Sequence, residues 1–165
     1  MRFYALALVS AATLAACAKG DKPADSTVAD TSVVAPAPAQ TPAGGSATMA
    51  PITGTTHEVK MIGDDKGYRF EPANITVKAG DGIKFTMISG APHNVAFDAA
   101  GVADDMEAQL DANMGTDKTG MLSSGMKMNA NESITVSFAN IKPGTYAFNC
   151  TPHLAMNMKG VVTVQ

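Results

Sequence analysis

Cys150-Thr151-Pro152-His153-Leu154-Ala155-Met156-Asn157-Met158 gathers a thiol, an imidazole and two thioethers on one short segment. Soft donors of this kind select copper among the common metals. Two imidazoles, one thiolate and a weak axial thioether make up the donor set of an electron-transfer copper. The set needs a second imidazole from elsewhere, and the chain offers His57 and His93. His93 is the better candidate, because Ala91-Pro92-His93-Asn94-Val95 reads as a turn leading into a strand. His57 stands at the ragged start of the folded part and reads as a surface residue. On residue type alone, either Met156 or Met158 supplies the thioether.

The cysteine count bears on the same segment. The chain has two cysteines, Cys17 and Cys150. Met1-Arg2 followed by the apolar run Phe3 to Leu14 has the form of a secretory signal, too short to persist as a membrane-spanning helix. Leu14-Ala15-Ala16-Cys17 resembles a bacterial lipobox, so residues 1–16 are expected to be removed and Cys17 to carry lipid. An ordinary signal peptide with a chance cysteine is the plainer alternative; the cysteine's position and the tail behind it favour lipidation. Ala18 after the cysteine resembles lipoproteins sent to an outer membrane. The expected location is therefore extracytoplasmic, on the periplasmic side and anchored to the outer membrane. Cys150 is then left without a disulfide partner in an oxidising compartment, where a free thiol survives if it is buried or metal-bound.

Positioning elements can be read from periodicity and punctuation. Residues 17–54 are dominated by Ala, Pro, Thr, Ser, Gly and Asp, with Ala35-Pro36-Ala37-Pro38 among them. Such a segment has too little apolar surface to offset its ordering entropy, and it reads as an extended tether. Residues 55–165 have the size of one domain. Alternation marks strands at His57–Met61, Ile75–Val77 and Ile83–Ile88, with further candidates at Asn94–Phe97, Ser133–Phe138, Thr145–Cys150 and Gly160–Gln165. Gly80-Asp81-Gly82, Ser89-Gly90 and Lys142-Pro143-Gly144 punctuate them. The pattern predicts an all-β protein, an antiparallel β-sandwich. One stretch, Asp98 to Asn131, breaks the pattern; it is rich in Gly and Met and allows a short helix over Asp104–Asn113.

Charge excludes some partners. The domain carries nine Lys and Arg against twelve Asp and Glu, with no basic patch, so nucleic acid is not expected. Six acids between Asp98 and Asp117 form either a solvated loop or a docking face for a basic partner.

Phe70-Glu71-Pro72-Ala73-Asn74-Ile75-Thr76-Val77-Lys78-Ala79-Gly80-Asp81, then Pro92-His93-Asn94-Val95-Ala96-Phe97-Asp98, then the Cys150 segment resemble the plastocyanin/pseudoazurin family, in that family's order. The resemblance covers most of Tyr68 to Gln165. It implies a Greek-key cupredoxin sandwich with one type 1 copper cycling between Cu(I) and Cu(II), held by His93, Cys150, His153 and Met158. The choice of Met158 follows the family's spacing of eight residues after the Cys and two before the Gly opening the last strand, here Gly160. Met156 then becomes a packing or rim residue. The resemblance also implies that Asn94 ties the His93 strand to the Cys150 loop, and that His153 presents an exposed edge at an apolar patch, the electron port. Three features depart from the pattern. Asn149 stands where plastocyanins carry Tyr, the chain ends at Gln165 without the C-terminal helices of pseudoazurins, and the Met-rich stretch matches neither.

The function expected is single-electron carriage between extracytoplasmic redox proteins such as c-type cytochromes or a respiratory or photosynthetic complex, by a monomer. The alternative is a copper chaperone or store using Met121, Met126 and Met128. An enzyme is not expected: a second copper centre needs further histidines, and only His57 is left.

Overall fold

The computed structural model describes residues 47–165. The expected signal segment 1–16, the lipidated Cys17 and the tether as far as residue 46 lie outside the described residues.

Two sheets face each other. The first has the order β2 (Gly67–Glu71), β1 (Thr56–Asp64), β4 (Gly82–Met87), β8 (Ser133–Ser137). The second runs β3 (Asn74–Val77), β10 (Lys159–Val164), β9 (Gly144–Asn149), β5 (Ala96–Phe97), β7 (Ser123–Ser124), β6 (Lys118–Gly120). Alternation decides which side chains enter the space between them. Val59 and Met61 of β1, Ile83, Phe85 and Met87 of β4, and Tyr146 and Phe148 of β9 are buried, while their neighbours along each strand are more exposed. Phe70, Phe85 and Phe148 meet edge to face, with ring centroids 4.8–6.1 Å apart.

The sandwich is mixed rather than wholly antiparallel. β1 pairs with β4 in parallel, and β10 with β3 in parallel. These pairs arise because the chain crosses between the sheets instead of returning beside itself, the Greek-key habit. β2 carries no clear alternation in sequence, and of Gly67-Tyr68-Arg69-Phe70 only Phe70 is buried. Within the irregular stretch, α1 (Asp104–Asn113) forms as expected, with Asp104, Asp105 and Glu107 in its first turn, where acidic side chains favour the helix dipole. The small β6–β7 hairpin was not expected.

Strand direction gathers the chemistry at one pole. β4 ends at Met87 and leads to His93, β9 ends at Asn149 and leads to Cys150, and β10 begins just after Met158. The chain approaches from the other pole, where Thr53 and Gly54 donate to the Gly80 carbonyl. Residues 47–54, expected as the last of the tether, lie against the domain. Ala50 is buried and its N–H donates to Asn113 Oδ1 at 2.9 Å, while Gln109 Nε2 donates to the Thr48 carbonyl at 3.0 Å.

Asp81 locks this same pole. Its carboxylate accepts from the N–H groups of Thr55 (2.8 Å) and Lys78 (3.0 Å) and pairs with His57 Nε2 at 3.0 Å. His57 is thus a structural partner. The Lys78 and Thr55 N–H groups and His57 hold the Asp81 carboxyl down at about 2, against 3.8 ordinarily. A lowered carboxyl stabilises the fold above its ordinary pKa, and that contribution disappears as pH falls toward about 2. Asp81→Asn is therefore expected to lower the melting temperature at pH 7, and the gap to the parent should close between about pH 4 and pH 2. Thermal melts over a pH series check this.

Lysines neutralise much of the acidic stretch. Lys118 pairs with Asp111 at 2.5 Å, Lys127 pairs with Asp117, and Lys142 pairs with Asp105. Pairing of three of the six acids weakens the docking-face reading and leaves Asp98, Asp104 and Glu107 without a lysine partner among the described residues.

Candidate metal centre

Each ring or sulfur at the site is aimed by its own backbone. The His93 backbone exchanges two hydrogen bonds with Lys127, with Lys127 N to the His93 carbonyl at 2.7 Å and His93 N to the Lys127 carbonyl at 3.0 Å. Nε2 of His93 lies 2.8 Å from the Ser89 carbonyl. A carbonyl only accepts, so Nε2 carries the hydrogen and Nδ1 keeps its lone pair. That Nδ1 stands 3.5 Å from Cys150 Sγ.

The second half of the site is a closed loop between β9 and β10. Cys150 N donates to the Met158 carbonyl at 3.0 Å, Met158 N to the His153 carbonyl at 3.2 Å, and His153 N to the Cys150 carbonyl at 3.1 Å. Thr151–Met156 form a short 3₁₀ helix, and Asn157 takes a left-handed conformation to turn the chain back. These bonds bring His153 Nδ1 to 3.4 Å from Cys150 Sγ. Met158 is fully buried at the loop's end, whereas Met156 is 56% exposed. Two residues after Met158 stands Gly160, where only a hydrogen fits: a Cβ would sit 2.3 Å from both the Ala73 carbonyl oxygen and the Phe148 ring.

Asn94 joins the two halves. Fully buried, it accepts from Thr151 N–H at 2.8 Å and donates to Thr151 Oγ1 and Ser123 Oγ, each at 3.2 Å. This is the tie expected between the His93 strand and the Cys150 loop.

Tyr68 is a contributor that sequence reasoning passed over. Its ring stacks on that of His153, with centroids 3.7 Å apart and planes 16° apart. The stack also corrects the expectation of an exposed His153 edge. Tyr68 lies over the ring and His153 is only 5% exposed, although Leu154 and Met156 beside it are exposed. The close approach of Gly63 and Gly90 makes room for the stack, since a Cβ on Gly63 would strike the Tyr68 ring at 2.6 Å. One signal was available: in Tyr68-Arg69-Phe70 alternation puts Tyr68 on the face of the core residue Phe70.

Electrostatics favour a metal-ready set. Burial pushes both His93 and His153 below the ordinary imidazole value, and for His153 the nearby His93 adds to the effect. Both are therefore neutral at pH 7, the form that ligates. Burial pushes the Cys150 thiol up, opposed by the backbone N–H groups of Asn94 and His153.

The donor atoms of His93, Cys150 and His153 all lie within 4.8 Å of one another. Metal–nitrogen and metal–sulfur bonds of about 2.0 and 2.3 Å at a tetrahedral angle place neighbouring donors about 3.5 Å apart. The two sulfur–nitrogen distances meet this spacing. These three donors therefore fit a soft metal. Residues 57–165 match the copper binding proteins of the plastocyanin/azurin family.

This chain belongs to the plastocyanin/azurin family.

Relatives agree with the assignment. A chloroplastic plastocyanin of Physcomitrium patens is 41% identical over 106 residues, which span 64% of this chain and 56% of that protein. Plastocyanin of Dryopteris crassirhizoma is 37% identical over 111 residues, 63% of this chain and 96% of that protein. The structure of the oxidised Dryopteris plastocyanin superposes with a TM-score of 0.52 at 33% identity, covering 66% of this chain and 99% of that one. The fold is accordingly the cupredoxin sandwich. The family's cofactor is one type 1 copper, and its plastocyanin-like members are electron carriers rather than enzymes. Copper-based electron transfer, not catalysis, is the chain's work.

Proposed function

We propose that this protein carries single electrons on one copper held by His93, Cys150, His153 and Met158. The observation that carries this reading is the convergence of Cys150 Sγ with two imidazole Nδ1 atoms in a buried pocket. When bound, copper supplies a one-electron Cu(I)/Cu(II) couple. The chain's residues keep the donors in one arrangement for both states. Ser89 fixes the His93 tautomer, Tyr68 fixes the His153 plane, and Asn94 joins the segments that carry them. Burial of all four residues excludes water. The exposed Leu154 and Met156 flank His153 and give a partner an apolar landing next to the shortest way out.

Met158 is the residue that would supply the thioether to the copper. Its complete burial at the loop's end supports it, and the 56% exposure of Met156 argues for a rim position. Met158→Gln is expected to retain copper and lower the reduction potential by at least about 59 mV, a tenfold step for a one-electron couple. Met156→Gln should move it by a small fraction of that. Voltammetry of the two variants tests the choice, and an equal shift from Met156 reverses it.

The proposed setting is extracytoplasmic. Residues 1–16 act as a signal, Cys17 carries lipid on an outer membrane, and the following tether reaches the folded domain. Approach of the chain from the pole opposite the metal centre supports this arrangement, because a tethered domain then holds its copper pole free. Partners are redox proteins such as c-type cytochromes or a respiratory or photosynthetic complex. Stopped-flow mixing of the reduced protein with an oxidised c-type cytochrome tests carriage: fast, reversible exchange is expected, and no exchange with any such acceptor would refute it. Against delivery of copper as the main role stands the burial of the four donors, since a carrier that hands over its metal needs it within reach of the recipient.

A further inference from the structure

A single exposed apolar side chain is ordinary on a protein surface, whereas exposed apolar side chains set side by side mark a site. Met126 is 38% exposed and Met128 58%. Lys127 between them forms the two-bond bridge with the His93 backbone. Its side chain is only 12% exposed and turns away to pair with Asp117. In extended chain, neighbours once removed share a face. Met126 and Met128 therefore project together on the outer face, with Cα atoms about 7 Å apart. Three rotatable bonds in each side chain allow the two sulfurs to converge.

The backbone under them is held firmly. Glu132 accepts from Met128 N–H at 2.7 Å and from Asn129 N–H at 3.0 Å, while His93 holds Lys127. The nearest cation is neutralised by Asp117. The result is a pair of flexible soft donors on a fixed platform, one residue to either side of Lys127, whose backbone bridges to His93. The other exposed methionines among the described residues lack such a pairing: Met49 has no methionine two residues away, Met121 occupies the β6–β7 turn, and the companion of Met156 two residues on, Met158, is buried.

We propose that Met126 and Met128 form a surface site for Cu(I), and for soft monovalent cations generally, distinct from the buried centre. Thioethers bind Cu(I) without a proton leaving or an electron moving, and they discriminate against hard cations. The site's position beside His93 suits it to receive copper before the buried centre does. It stands independently of whether the buried copper carries electrons.

The test uses the full chain with its copper centre loaded and reduced, carrying methionine labelled with ¹³C at the ε-methyl, titrated anaerobically with Ag(I) as a redox-silent probe. The Met126 and Met128 methyl signals are expected to shift together with the first added equivalent, ahead of those of Met121 and Met156. The double variant Met126→Leu/Met128→Leu should weaken that equivalent at least about tenfold and leave the oxidised visible spectrum unchanged. The single variant Met128→Leu should show the same loss in lesser degree. Undiminished binding in these variants, or parallel shifts of Met121, Met126, Met128 and Met156, would overturn the proposal.

Discussion

Cys150→Ser is expected to abolish the intense visible absorption of the copper-loaded protein while leaving the fold in place. That absorption depends on copper–thiolate bonding, and Cys150 Sγ is the one anionic sulfur donor at the centre. A serine hydroxyl is close to isosteric but hard, and it stays protonated at neutral pH, so copper loses its soft anchor. The buried sulfur is surrounded by core residues and makes no disulfide, so far-ultraviolet circular dichroism should change little. Because burial raises the empty Cys150 thiol, copper uptake by the parent must expel a proton. Uptake should therefore weaken as pH falls, and the serine variant should lose that part of the dependence. Absorption spectra of parent and variant, loaded side by side, provide the check; a variant that stays blue contradicts the ligand assignment.

Asn94→Ala should cost about 2–4 kcal/mol of stability, which for a domain of this size lowers the melting temperature by about 10 °C. The side chain is fully buried and makes three hydrogen bonds, two to Thr151 across the gap between the His93 segment and the Cys150 loop and one to Ser123 of β7. Alanine leaves the Thr151 N–H and two hydroxyls without their partner and opens a small void. The effect should reach the metal, since Thr151 adjoins Cys150. The copper spectrum of the variant is expected to broaden, with copper lost more readily to a chelator. Asn94→Asp keeps an acceptor for Thr151 N–H but not the donors, so it should fall between the two. An alanine variant that melts within about a degree of the parent would show that the amide is not the tie described.

Much of the site was legible because its information is local. Cys150, His153 and Met158 share one loop, and the His93 segment has its own turn-to-strand signature. Most strands follow from alternation, and the helix over Asp104–Asn113 falls where the irregular stretch allowed one. What was missed depends on the third dimension. The parallel pairings of β1 with β4 and β3 with β10 follow from how the chain crosses between sheets, which alternation does not encode. Tyr68 reaches His153 across 85 residues of chain, and only the assembled sandwich brings them into a stack that hides an edge expected to be open. His57 read as a surface residue because its partner Asp81 comes from a distant turn. Gly160 marks a register in the sequence, and its steric reason lies in Phe148 and Ala73, which surround it in the fold.

The central claim is one copper bound through Cys150, His93 and His153 and exchanging single electrons. Visible and EPR spectra of the copper-loaded protein, followed through a titration with a mild reductant and reoxidation, test it most directly. The account predicts an intense blue Cu(II) form that bleaches with one electron per protein and returns in full on oxidation. A copper form that is colourless from the start and resists oxidation would contradict it.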